Sequence, residues 1–121
     1  MRVEHTVPLS SIAVCTLKEL KQKFPSDDFL FHNGDSTQPI RDNALIEALY
    51  WMGYKNRMSV HGFRAIASTV LNEHEFRADV IERQLAHIDG NQVRRAYNRA
   101  EYMEERTEMM EWWSQYLEKI S

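Results

Sequence analysis

The spacing of apolar residues changes along the chain, and each change marks an element. Residues 2–9 set Val3, His5, Val7 and Leu9 on one side of a period-2 pattern, which predicts a short strand ended by Pro8. A lone strand needs partners, so this pattern implies sheet neighbours further upstream. Ser10 or Ser11 can cap a helix that runs to about Lys23, with Ile12, Leu17 and Leu20 inward. Residues 25–39 are rich in Asp, Ser, Asn and Gly and read as a loop, pinned at its middle by Phe29, Leu30 and Phe31. Asp42 is placed to cap the next helix, and Gly53 ends it just after Trp51 and Met52. Residues 55–59 form a basic connector.

The cleanest helical period covers residues 61–73. Phe63, Ile66, Ala67, Val70 and Leu71 recur at the i, i+3, i+4, i+7, i+8 spacing, which leaves His61, Arg64 and Ser68 on another face. Residues 78–86 predict a further short helix, Asp89-Gly90-Asn91 a turn, and residues 91–98 a basic helical segment. A last helix is expected over 101–120. Met103, Met109, Met110, Trp113, Tyr116, Leu117 and Ile120 form its apolar stripe, and Glu101, Glu104, Glu105, Glu108 and Glu111 its acidic face. The pattern as a whole predicts a mainly α fold with one residual N-terminal strand, in a single domain.

Composition narrows the classes. The 121 residues carry 43% hydrophobic and 27% charged side chains, ordinary for a water-soluble globular domain. A net charge of −3 argues against a surface that binds nucleic acid everywhere, but leaves room for a local basic patch. Cys15 is the single cysteine, which excludes an internal disulfide framework and a cysteine-rich zinc site. Residues 1–10 are polar and lack the apolar run of a signal peptide, and no stretch approaches the roughly 20 apolar residues of a membrane helix. These features point to a reducing cytoplasm and give no sign of a membrane. His74-Glu75 lacks the second histidine of a zinc-hydrolase helix, so metal hydrolysis is not indicated.

Three spots could carry chemistry. His61 and Arg64, three residues apart on a helix, are neighbours on one face. Arginine offers a planar fork for two non-bridging phosphate oxygens, and histidine can donate a hydrogen bond or move a proton near neutral pH. His87 ends a helix before a turn, a place from which a ring can face a cleft. Tyr97 lies inside Arg94-Arg95-Ala96-Tyr97-Asn98-Arg99, the densest basic run in an acidic protein, where arginines favour the phenolate. Taken singly, each has a bland explanation: a solvated helix arginine, a satisfied terminal histidine, a tyrosine packed in a core.

Their order gives them meaning. His-x-x-Arg, then a helix ending in Leu-Ala-His, then a tyrosine in a basic segment, resembles the tyrosine-recombinase (phage-integrase) family. The resemblance is to the integrases of satellite phages and genomic islands, and it covers essentially the whole chain. Met58-Ser-Val-His-Gly-Phe-Arg-Ala-Ile-Ala-Ser-Thr69 is similar to the His-x-x-Arg box. Ile81-Glu-Arg-Gln-Leu-Ala-His87 is similar to the second histidine box, and Arg95-Ala-Tyr-Asn-Arg-Ala-Glu-Tyr102 to the nucleophile box.

The resemblance implies the C-terminal portion of the family's catalytic domain, spanning residues 1–121. It implies site-specific DNA recombination and integration through a covalent 3′-phosphotyrosine, with Tyr97 as nucleophile. Arg64 and His87 would bind the scissile phosphate, and His61 would assist proton transfer. Lys55, Arg57, Arg94, Arg95 and Arg99 are the candidate DNA contacts. No cofactor and no metal is implied. The implied partners are an attachment-site duplex and further copies of the protein, as a tetramer on DNA in a full-length parent in the bacterial cytoplasm at the nucleoid. The family's other arginine, its hairpin lysine, and its core- and arm-binding domains have no counterpart here. The lysine would fall about one position before Met1, so the isolated chain is expected to be inactive.

Two other readings remain open at this level. Residues 78–86, the Asp89-Gly90 turn and residues 91–99 mimic a helix-turn-helix that would read a groove with Gln92, Arg95 and Asn98. Alternatively, the Met- and Trp-rich last helix makes the chain a purely helical interaction module.

Overall fold

The computed structural model describes residues 4–86 and 101–121. Five α-helices are formed there: α1 (Ser11–Lys23), α2 (Ala44–Trp51), α3 (Val60–Glu73), α4 (Ala78–Gln84) and α5 (Met103–Ile120). The mainly α reading holds. No strand is formed among the described residues, which corrects the strand expected over 2–9. The part of this segment that is described ties its polar groups to helices instead of to a sheet. The Thr6 carbonyl accepts from Arg106 at 2.7 Å, and His5 Nε2 donates to the Gln84 carbonyl at 3.3 Å. The basic segment expected over 91–98 and the turn before it lie outside the described residues.

The chain divides into two compact units. The first comprises Met1–Ser11 and Ala67–Ser121, and the second Ile12–Ile66. The core of the first is Leu71, Val80, Ile81 and Met109, with Phe76, Leu85, Tyr102, Met110, Trp112 and Trp113 packed against it. α4 contributes Val80, Ile81 and Gln84 from one face, and α5 contributes Arg106 and Met109 from its own. Burying a large apolar side chain contributes on the order of 2 kcal/mol. This cluster therefore explains why a seven-residue helix, marginal on propensity alone, is formed at α4.

The start of α1 is tied down within the same unit. Ser10 Oγ shares a hydrogen bond with Ser114 Oγ, and the Glu111 carboxylate accepts from the Ser11 hydroxyl and, at 2.9 Å, from the Ser11 backbone N–H. A carboxylate at a helix N-terminus satisfies orphan donors and favours the helix dipole. The Ser11 hydrogen bonds, side chain first, hold the Glu111 carboxyl below its ordinary range. The tether is thus complete above the usual carboxylate range and is lost only as pH falls through the depressed value.

Two helix ends show contrasting chemistry. At α2, Gly53 takes φ +86, its N–H bonds the Tyr50 carbonyl at 3.0 Å, and the Tyr54 N–H bonds Leu49 at 2.9 Å. This is a Schellman cap with the residue that costs least in the left-handed region. At α3 the same pair of bonds forms from Glu75 to Asn72 at 3.1 Å and from Phe76 to Leu71 at 3.1 Å, but the left-handed residue is Glu75 at φ +61. Phe76 then closes over the core beside Leu71. Glu75→Gly is therefore expected to stabilise the fold by about 1 kcal/mol, read as a higher urea midpoint at unchanged slope. A lower midpoint would show that the Glu75 side chain contributes more than its backbone costs.

The second unit holds most of α1, the loop, α2 and the first half of α3. Leu49 is its buried side chain. The loop is organised by Asp35, whose Oδ1 accepts from the Thr37 N–H at 3.0 Å and the Thr37 hydroxyl at 2.6 Å, and by the Ile40 N–H donating to Phe31 at 3.0 Å. Asp42 does not cap α2. Asn43 is the N-cap residue and makes no side-chain cap bond, because its own backbone is already helical. The inward face expected for α3 is formed only in part. Leu71 is 2% exposed, whereas Phe63 and Ile66 are 56% and 49% exposed. Leu71, in the C-terminal half of α3, belongs to the core formed with α4 and α5.

Candidate active site

The His-x-x-Arg box sits at the start of α3, and local chemistry sets that start. Ser59 precedes the helix, and its Oγ accepts from the Gly62 N–H at 3.0 Å, the bond of a serine N-cap. His61 and Arg64 follow in the first two turns on a shared face, His61 exposed and Arg64 half-buried. Gly62 lies between them. A Cβ there would meet Met58 Sδ at 3.2 Å and Ser59 Oγ at 3.3 Å, so the connector folds close against the backbone of this turn.

Lys55 and Arg57 lie in that connector and are exposed. The Arg57 and Met58 N–H groups both bond the Tyr54 carbonyl, at 2.9 and 3.1 Å, and Asn56 takes the left-handed conformation at φ +62. Asparagine tolerates that region better than most residues. Lys55 Nζ lies 5.6 Å from the Tyr50 ring centre, and the Arg57 guanidinium 5.8 Å from that of Tyr54. Exposed contacts of this kind are worth about 0.5–1 kcal/mol. They orient the two cations without neutralising them, so both charges stay available to a polyanion.

His87, Tyr97, Arg94, Arg95 and Arg99 lie outside the described residues, as do Gln92 and Asn98 of the helix-turn-helix reading. The residues on either side of them are described. α4 ends at Gln84, and Ala86 has φ +50. On the other side Tyr102, the second tyrosine of the nucleophile box, is the left-handed N-cap of α5 at φ +46. Its ring is packed on the core, with the Arg77 guanidinium 5.1 Å from the ring centre. Arg77 also grips the Glu105 carboxylate with two bonds, at 2.7 and 3.0 Å. Tyr102 therefore serves the packing of the α5 start.

Arg106 is the residue that the sequence pattern did not single out. It is 1% exposed, the bulkiest of the fully buried side chains. Its Nε donates to Gln84 Oε1 at 2.8 Å, Nη1 to the Glu101 carbonyl at 3.2 Å and Nη2 to the Thr6 carbonyl at 2.7 Å. Burial first, and then Arg83, lower its affinity for the proton, while Glu101 opposes them. The signal that could have found it is positional: Arg106 falls on the apolar stripe, three residues before Met109 and three after Met103.

Among the described residues no group of His, Cys, Asp and Glu is arranged to hold a metal ion, and no helix is long and apolar enough to cross a membrane.

A histidine and an arginine on one capped turn, with two orientable cations in the preceding connector, make a surface suited to a phosphodiester. The family model for the phage integrase family matches residues 1–104, and the chain belongs to that family. It is 44% identical over 115 residues to the prophage integrase IntA of Escherichia coli K12, covering 94% of this chain and 28% of that protein. It is 42% identical over 117 residues to the integrase of Shigella phage Sf6, covering 95% and 30%. It is also 42% identical over 123 residues to the integrase of Enterobacteria phage P4, covering 98% and 28%. The chain thus spans under a third of the length of these relatives. No solved structure matches it.

Proposed function

We propose that these residues form the C-terminal catalytic part of a tyrosine-type site-specific recombinase. The observation that carries the proposal is the ordered set of three boxes, within a chain that matches the phage integrase family over residues 1–104. The Tyr97 phenol oxygen attacks the phosphorus of a DNA phosphodiester and gives up its proton with help from His61. The bond to the 5′-oxygen breaks, and a 5′-hydroxyl leaves once that oxygen takes a proton. The 3′-phosphate stays on Tyr97. A second 5′-hydroxyl reverses the step and joins a new strand. Arg64 and His87 meet the charge that gathers on the non-bridging oxygens, where preorganised donors act most strongly. Lys55, Arg57, Arg94, Arg95 and Arg99 contact the backbone of an attachment-site duplex, and the full-length protein works as a tetramer on DNA in the cytoplasm.

The test is a covalent-trap assay. An integrase chain carrying these 121 residues with upstream catalytic residues is given a nicked duplex whose cleaved end diffuses away, with a metal chelator present. A protein–DNA adduct stable to denaturant is expected. Cleavage without an adduct, stopped by the chelator, would make the chemistry hydrolytic and contradict the proposal.

A further inference from the structure

The mechanism leaves Arg106 without a role, yet it is buried and donates three hydrogen bonds. A buried guanidinium is expensive to desolvate and is retained only when its donors are met. Its three bonds reach three separate stretches of chain: Thr6, Gln84 and Glu101. Gln84 lies three residues before His87, and Glu101 lies four residues after Tyr97. The segment holding both reactive residues therefore leaves and re-enters the described structure at two points joined by one planar group. Two further contacts hold the same points. His5 donates to the Gln84 carbonyl at 3.3 Å, and Arg83 pairs with Glu101 at 3.4 Å. A methionine at 106 would satisfy the apolar stripe of α5, so packing alone gives no reason for an arginine there.

We propose that Arg106 is a positioning residue for the cleavage step: its guanidinium fixes the two ends of the segment that carries His87 and Tyr97, with Thr6 as the third anchor. The proposal rests on the reading of Tyr97 as nucleophile. In this reading Arg106 acts through the ends of the segment and not on the reacting atoms themselves. Its effect falls on the rate of attack, because displacing a reactive group by about 1 Å can cost on the order of 100-fold. Affinity for DNA is spread over several phosphate contacts, including Lys55 and Arg57 outside this segment, so it should fall far less than the rate.

The experiment uses the full integrase chain and measures the single-turnover rate of adduct formation at saturating DNA, together with DNA affinity. Arg106→Lys keeps the charge but loses the fork, and should slow adduct formation at saturating DNA at least about tenfold, with a much smaller loss of affinity. Gln84→Met removes one acceptor only and should act in the same direction more weakly, which covers the case in which Arg106→Lys does not fold. Met109→Ala destabilises the same core without touching either anchor and should form adduct at the parental rate. Parental rates in Arg106→Lys and Gln84→Met would overturn the proposal. So would slowing of all three variants in proportion to their lost stability, because that is the mark of a residue that only holds the fold. An adduct that survives Tyr97→Phe would instead bring down the underlying reading, and this proposal with it.

Discussion

Replacing Arg64 with lysine is expected to slow single-turnover DNA cleavage by about 100- to 1,000-fold, which corresponds to about 3–4 kcal/mol of transition-state stabilisation. The helix should survive the change. Arginine and lysine have nearly equal helix propensity, and the N-terminus of α3, where Arg64 lies, is capped by Ser59. What is lost is the fork. Two parallel N–H donors can hold two non-bridging oxygens of the phosphate at once, while an ammonium group offers only a mobile point charge. Far-ultraviolet circular dichroism and the cleavage rate together separate the two contributions. A parental rate with intact helix signal would make Arg64 an ordinary surface residue of α3.

The second large effect is expected at Tyr97. Tyr97→Phe removes only the oxygen that would bond phosphorus, so adduct formation should fall to background while DNA affinity holds. Tyr102→Phe is the matched control. Tyr102 is only five residues further along, but its ring is committed to the core and to Arg77 at the start of α5. Losing its hydroxyl should therefore leave the adduct intact. A reversal of the two results would move the nucleophile to the α5 cap and undo the assignment of the basic run.

Helix positions were largely legible in the sequence because each helix has a period of 3.6 and a readable end. Gly53 ends α2 with the cap its residue type suggests, and Leu71 and Met109 lie buried on the faces that periodicity assigned to them. The misreadings have different physical causes. Period-2 alternation over 2–9 suggested a strand, but Thr6 and His5 in that stretch bond to Arg106 and Gln84. Asp42 looked like a cap, but Asn43 occupies the N-cap position and α2 begins without a side-chain bond. Phe63 and Ile66 fit the stripe of α3 yet stay exposed, because a stripe records what a helix can bury and not where a partner lies.

The candidate site divides in the same way. The types and order of His61, Arg64, His87 and Tyr97 are visible in the sequence, because their chemistry is carried by residue identity. Arg106 is invisible to that kind of reasoning. A lone arginine on a helix is normally solvated; its place on the apolar stripe is a weak hint, and its three acceptors, two of them far away in the chain, reveal it as an anchor. The last helix shows the limit of composition. Met109, Met110, Trp112 and Trp113 belong to the core of their own unit, while Leu117 and Ile120 further along α5 remain exposed.

The central claim, that Tyr97 carries the DNA, is tested most directly by mapping the adduct. Trypsin cuts after Arg95 and Arg99, which isolates residues 96–99 with Tyr97, and after Arg106, which places Tyr102 in a separate peptide of residues 100–106. The covalent product is digested with nuclease and trypsin and read by mass spectrometry. The expected result is a nucleotide phosphate on the peptide of residues 96–99, with the peptide of residues 100–106 unmodified. A nucleotide on the Tyr102 peptide, or on neither, would contradict the account.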